Sequence, residues 1–398
     1  MSPSQTPHTN HSAQAQEYLP ASESATPGLQ EAFHEHISQS GPIPFSEFMR
    51  RALYDPEHGY YSAAAAPRTG RSGDFFTNVS VGPLFGQLIA ERCFQIWLHC
   101  GKPSEFSLIE IGAHDGTLAL DVLTAAQAKS SEFFSALHYH LIESSPSLRS
   151  QQTEKLSAYS TTQHSDLKTL PTLETSAVCF SNELYDAFPV DLLEYNSASE
   201  SEAVWRELRV TKDLRFLPVE IDSPRLHAAL PHLPAKPHPG TRAEVRLGVK
   251  DFVNQLATRL PTALFVTFDY GFAREELYHP DRIAGTLTSY KSHQRIENVL
   301  SSPGSQDLTA HVDFTQLAEA HEAAGHQILS FEPQSSYLTK LSKAWLLDME
   351  SKGSFDPRAL RQLKSLTHPG IMGRTFQVLE AAPPDLNLPV SATVRHRL

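Results

Sequence analysis

Cysteine is scarce in this chain. Its 398 residues include three, Cys93, Cys100 and Cys179, with no CxxC pair. An odd, scattered set supports neither a disulfide framework nor a thiolate zinc site. Cys93 and Cys179 lie in apolar runs and read as small core residues, which fits a reducing compartment. Long apolar runs are also missing. No stretch approaches the ~20 residues a membrane helix needs, so no membrane insertion is expected. Positive charge is in deficit, with 33 Lys and Arg against 45 Asp and Glu and a net charge of −12. That balance argues against a general nucleic-acid binder. The 20 histidines form no HxxxH or HExxH pattern, so no metal site is expected. The first 40 residues lack the charged start and apolar core of a secretory signal. They also lack arginine and contain glutamates, which argues against a mitochondrial transit peptide. Residues 1–40 are read as a disordered polar tail, and the location as cytoplasmic.

What is present is an alternation of periods. Residues 41–105 read as an N-terminal helical extension. In "FSEFMRR" Ser46 is placed to cap a helix through Arg51. Leu84, Phe85, Leu88, Ile89, Phe94, Ile96 and Trp97 recur mostly at helical spacing, and Gly101 stops the run. From residue 106 strands and helices alternate: "FSLIEI", "TLALDVLTAAQAK", "LHYHLIE", "PSLRSQQTEKL", "AVCF" and "TALFVTFDYGF". This implies an α/β fold, a mostly parallel sheet with helices on both faces, over 106–398. Residues 193–225 look like an inserted hairpin, and 272–315 like a long loop excursion. Long loops inside compact domains tend to be functional.

In open parallel sheets, ligands bind at the carboxyl ends of the strands. The first strand here leads into Glu110-Ile-Gly112-Ala113-His114-Asp115-Gly116. This is not the G-x-G-x-x-G of a dinucleotide site, and an acid before the first glycine would repel a pyrophosphate. It suits a cationic ligand with hydroxyls, such as S-adenosylmethionine. Of the four marked positions in E/D-x-G-x-G-x-G, Glu110, Gly112 and Gly116 match, while His114 takes the place of the middle glycine. Glu143 ends the second strand, 27 residues after Gly116, where an acid can accept from both ribose hydroxyls. Asp166 is placed to meet the adenine amino group. Two more clusters stand out. Gly73, Asp74, Phe75 and Thr77 precede a helix, either as a site or as a helix entry with an Asp or Thr cap. Asn182, Glu183 and Asp186 follow a buried strand, either facing the crevice or with Asn182 as a cap.

"GDFFTNVSVGPLFGQLIA", "IEIGAHDGTL", "SNELYDAFPV", "FDYGF", "GTLTSYKSH", "DLTAHVDFTQL" and "MGRTFQVL" occur in that order. Over roughly residues 41–382 the chain resembles the MidA-like family, which includes a mitochondrial protein arginine methyltransferase that assists respiratory complex assembly. The resemblance implies a class I methyltransferase fold, a seven-strand Rossmann-like sheet with insertions, and S-adenosyl-L-methionine as cofactor. Its motifs match at Gly73, Asp74, Phe75, Thr77, Glu110, Gly112 and Gly116, which with Ala113, Glu143 and Asp166 make up the expected cofactor site. Asn182, Glu183, Asp186, Ala187 and Pro189 match the family's N-E-x-x-D-A-x-P. Asp307, Thr309, His311, Val312 and Asp313 match its D-x-T-x-H-V-D-F. The chain departs at His114, at Ala113 (proline in the family) and at Asn78 (serine in the family). The implied activity is protein arginine methylation in assembly of a partner complex. A small-molecule methyltransferase and a catalytically silent cofactor-binding assembly factor stay open, as does a homodimer.

Methyl transfer is an in-line displacement, so positioning carries much of the rate. A protonated guanidinium is a poor nucleophile. A carboxylate forked onto two of its nitrogens would free the third. Glu183 is the first choice for that role, with Asn182 aligning the acceptor. His311 could take the released proton, oriented by Asp313 or Asp307. Alternatively, His311 and Asp313 only tie down the loop.

Overall fold

The computed structural model describes residues 27–398 except 63–76, 197–203, 292–293, 352, 354–355, 393 and 395–397. Gly73, Asp74 and Phe75 therefore lie outside the described residues.

Seven strands form the main path of the central sheet. They are β1 (Phe106–Ile111), β2 (Leu137–Ile142), β3 (Thr161–His164), β4 (Ala177–Asn182), β5 (Ala263–Phe272), β6 (Gln327–Pro333) and β7 (Phe376–Ala382). Their order is β6-β7-β5-β4-β1-β2-β3. β7 runs antiparallel to both neighbours, and the other pairings are parallel. An eighth, two-residue strand, Val312–Asp313, pairs with the end of β5. β1 and β7 are buried along their whole length, as near-continuous apolar strands covered on both faces should be. Helices Leu84–His99, Thr117–Lys129 and Gln334–Ser351 pack on one face around Trp97, Phe106 and Phe268. Helices Val249–Arg259 and Phe314–Ala323 cover the other. From β1 the chain moves outward to β2 and β3, then returns to β4 on the opposite side. The carboxyl ends of β1 and β4 thus flank the point where strand order reverses.

Several expectations change. Residues 27–40 are not a disordered stretch. Pro27–Ser40 is a helix, and Leu29, Phe33 and Ile37, spaced by four, are buried. That single apolar stripe is hidden in a polar sequence. The residues 193–225 hairpin is part of a larger antiparallel sheet, formed by Ile43–Pro44, Asp191–Asn196, Val204–Val210, Phe216–Val219 and Arg242–Val245. The 272–315 excursion contains a short helix, Arg274–Leu277, and a three-stranded sheet of Thr288–Lys291, Gln294–Ile296 and Asp307–Thr309. Its strands have four residues or fewer, too short for a period to show. Finally, Ser46 caps nothing. Helix Phe45–Tyr54 has Pro44 at its N-cap, and Ser46 Oγ donates to Asp191 Oδ1 instead. The two ends of the 41–105 segment also part company. Phe45, Phe48 and Leu53 pack with the antiparallel sheet, whereas Leu84–His99 packs on the central one.

Candidate functional site

The loop after β1 is shaped by left-handed backbone. Gly112 (φ +72°), His114 (φ +44°) and Gly116 (φ +79°) all lie there. A Cβ at Gly112 would come within 3.3 Å of Leu184 Cδ1, and one at Gly116 within 3.1 Å of Gln152 Cγ. Bare backbone is needed at both. The first contact also shows that the β1 loop and the turn after β4 meet. Main-chain bonds hold the loop in place. Gly112 N donates to Ile142 O at 2.9 Å, His114 N to Glu143 Oε2 at 2.9 Å, and Gln152 Nε2 to His114 O at 2.6 Å. Lys155 pins Asp115 at 2.5 Å. Ala113 is buried.

Three of the expected cofactor acids stand at strand ends. Glu110 is 4% exposed and accepts from the Tyr139 hydroxyl at 2.6 Å. Burial, against that hydrogen bond, pushes it up to about 8. Glu143 receives His114 N on one oxygen and Ser145 N, at 2.9 Å, on the other. Burial raises it, opposed by the Ser145 amide and His114. Asp166 is exposed, and its Oδ1 caps the turn Leu167–Thr169. Thr77 closes a small turn with Ser80, accepting from Ser80 N at 3.2 Å.

The turn after β4 presents side chains rather than backbone. No helix follows Asn182, so it is not a cap. Glu183 adopts φ +54°, a conformation that is strained for a non-glycine residue and points toward function. Its amide donates to Phe268 O at 2.9 Å. Its carboxylate accepts from Asn182 Nδ2 at 2.8 Å and from the Tyr270 hydroxyl at 3.3 Å. Burial and the charge of Asp186 push it up to about 8. The amides of Leu184, Tyr185 and Asp186 converge on Asp269 Oδ2 at 3.1, 2.8 and 3.4 Å. Asp269 is fully buried, and burial together with Asp186 drives it well above the carboxylate range. Asp186 is pushed up to about 6 by burial, with Arg246 opposing. Among the described residues its Oδ1 has no hydrogen-bond partner.

His311 enters through Arg246, whose guanidinium joins His311 O to Asp186 O. The imidazole is pushed down to about 4 by burial and by Arg282 and Arg246. The two proposed orienting acids have other partners. Asp313 caps helix Phe314–Ala323 and pairs with Arg274 at 3.0 Å. Asp307 accepts from Tyr61 at 2.9 Å. His311 Nδ1 has no partner among the described residues.

Sequence reasoning missed Asp269 as an organiser, as well as Tyr270, Arg246, and Tyr54, whose hydroxyl donates to Ala187 O at 3.0 Å. Asp269 and Tyr270 lay in the quoted "FDYGF". An acid ending the strand beside β4 was the available signal. Arg246 and Tyr54 carried none. Among the described residues, no group of three or more His, Cys, Asp or Glu could hold a metal, and no helix is long and apolar enough to cross a membrane.

Residues 88–332 match a family of S-adenosyl-L-methionine-dependent methyltransferases. The chain belongs to that family. A Burkholderia thailandensis structure bound to S-adenosyl-homocysteine superposes on the methyltransferase with a TM-score of 0.80 and 27% identity. It covers 95% of this chain and 97% of its own. Curated relatives include the mitochondrial protein arginine methyltransferase NDUFAF7 of Danio rerio, 28% identical over 86% of this chain and 83% of its own. The Homo sapiens protein of that name is 25% identical over 92% and 85%. These relatives overturn the cytoplasmic expectation, because they are mitochondrial proteins. The argument from an arginine-free N-terminal stretch does not outweigh them. The class I fold and the cofactor class hold. The residues present fit that cofactor: Glu143 keeps free lone pairs on both oxygens for a diol, beside a loop opened by left-handed glycines at 112 and 116.

Proposed function

We propose that this methyltransferase acts on a protein arginine side chain, with the turn after β4 as its acceptor site. One observation carries the reading. Glu183 is held in a left-handed backbone conformation, with its carboxylate fixed by Asn182 and Tyr270, in the turn whose Leu184 lies beside Gly112 of the loop that fits the cofactor. The names of the curated relatives support it. When bound, S-adenosylmethionine supplies a methyl group on a sulfonium sulfur. Glu110, Gly112, Ala113, Gly116, Glu143 and Asp166 would hold it, and the family resemblance adds Gly73, Asp74, Phe75 and Thr77.

The guanidinium docks on Glu183 through two nitrogens, the one on Oε2 rather than the third being the acceptor, and Asn182 fixes the plane of the carboxylate. As the new N–C bond forms, the acceptor nitrogen must lose a proton. His311 suits that task poorly, since a ring held near 4 is a weak proton acceptor. Glu183, raised to about 8 by its surroundings, is better matched. Asp186, with one oxygen free, adds negative charge that favours a cation.

The test is transfer of radiolabelled methyl groups to a host lysate by wild type and Glu183→Gln. Label in one protein band, on arginine and only with wild type, is the expected outcome. Label in small molecules, or none despite S-adenosylhomocysteine binding, would defeat it.

A further inference from the structure

Glu183 ends a chain of side-chain amides that begins at a helix terminus. Leu366 lies in the last turn of helix Pro357–Thr367, where carbonyls have no partner within the helix. Its oxygen accepts from Gln334 Nε2 at 3.0 Å. A carbonyl can only accept, so Gln334 must turn its NH₂ group that way. The same nitrogen donates to Asn78 Oδ1 at 2.8 Å. With its oxygen so engaged, Asn78 presents Nδ2 to Asn182 Oδ1 at 2.7 Å. Asn182 then presents Nδ2 to Glu183 Oε1 at 2.8 Å. Flipping any one amide would set two oxygens, or two NH₂ groups, face to face. One main-chain carbonyl therefore fixes the direction of every link. Asn78 and Gln334 are both 0% exposed, so water has no ready access to replace a lost link.

We propose that Asn78 and Gln334 are positioning residues for methyl transfer. They lock Asn182 as a donor to Glu183 Oε1 and so direct the proton that Glu183 takes up to Oε2, beside the Tyr270 hydroxyl. The proposal rests on Glu183 being the acid that meets the acceptor. It states where the proton goes: as the N–C bond forms and the C–S bond breaks, sulfur keeps the electron pair and the acceptor's N–H proton passes to Oε2. Donation from Asn182, and from the main-chain amide of Asn78, opposes the upward push of burial on Glu183. A broken chain frees Asn182 to turn its oxygen toward Oε1, which favours the protonated acid. The family resemblance places serine at position 78. A serine side chain is too short to join both amides.

The test uses the full chain labelled with carboxyl-¹³C glutamate. The Glu183 signal is assigned by its disappearance in Glu183→Gln and titrated in wild type, Asn78→Leu and Gln334→Met. S-adenosylhomocysteine calorimetry reports folding. Both variants should titrate Glu183 at least about half a pH unit higher than wild type, roughly threefold in its acid constant. Folded variants that titrate where wild type does would overturn the proposal. If either fails to fold, Asn78→Ser decides, with the same direction of shift expected and an unshifted titration overturning it. Failure of the arginine reading would show separately, as methylation undiminished in Glu183→Gln.

Discussion

The β1 loop and the β4 turn solve one construction problem in opposite ways. Each leaves a parallel strand at the switch point, and each contains left-handed residues. A carboxylate from the neighbouring strand receives main-chain amides in each. In the β1 loop two of the left-handed positions are glycines, and Glu143 takes the loop's His114 amide on one oxygen and the Ser145 amide of its own segment on the other. In the β4 turn the left-handed residue is Glu183, and Asp269 gathers three amides on one oxygen. Glu143 is 8% exposed, whereas Asp269 is sealed at 0%. The first loop is a surface of backbone, suited to lying against a large ligand. The second is a rigid mount for one side chain.

Removing the mount should have the largest effect. Asp269→Ala leaves the buried amides of Tyr185 and Asp186 without their acceptor, at about 1–3 kcal/mol each, and takes the acceptor from the half-buried amide of Leu184. A loss of roughly 3 kcal/mol or more in chemical denaturation is expected. A loss below about 1 kcal/mol would mean that the turn holds itself. Next comes Glu183→Gln, which keeps the shape and removes the charge. Methyl transfer should fall at least ~100-fold, about 2.7 kcal/mol in barrier, with S-adenosylhomocysteine affinity unchanged. Loss of both together would erase the distinction between the two regions.

The two regions were not equally legible in the sequence. The β1 loop could be read because its parts are adjacent: a buried strand, an acid, two glycines and a helix within a dozen residues. Glu143 followed from the spacing of one βαβ unit. Asn182 and Glu183 stood out as polar groups after a buried strand, but what orients them did not. The amides on Asp269 reach across 83 to 85 residues, and the Gln334–Asn78 bond across 256. Such pairings depend on how elements pack, and no periodicity encodes them. The burial of residues 27–40 failed for a related reason. Three apolar side chains suffice to seat that helix, and they are diluted in polar sequence.

Acidity separates activity from stability. Glu183 must be ionised to grip a guanidinium, and its surroundings raise it to about 8. Methyl transfer should therefore climb between about pH 7 and pH 9, and that limb should vanish in Glu183→Gln. Stability should move the other way. Glu183 and Glu110 both titrate higher folded than unfolded, so their contribution is complete below about pH 4.5 and is lost as pH rises through about 8. A melting temperature that rises over the same interval as the activity would contradict these assignments.

The smallest effect is expected at His114, and it sharpens the comparison most. Its φ of +44° is uncommon for a side-chain-bearing residue, although histidine is among the types that tolerate the left-handed region. What the loop uses of His114 is main chain: its amide on Glu143 and its carbonyl on Gln152. The ring is partly exposed, with Nδ1 3.7 Å from Asp115 Oδ1. Glycine would relieve the backbone and enlarge the unfolded ensemble, two effects of about 1 kcal/mol that oppose each other. His114→Gly should thus leave stability within about 1 kcal/mol and S-adenosylhomocysteine affinity within about tenfold, ~1.4 kcal/mol. Glu183→Gly gives the same backbone relief in the β4 turn and should abolish transfer, because there the strained residue is present for its side chain. A loss of affinity well beyond tenfold in His114→Gly would place the imidazole on the cofactor and make the two regions alike.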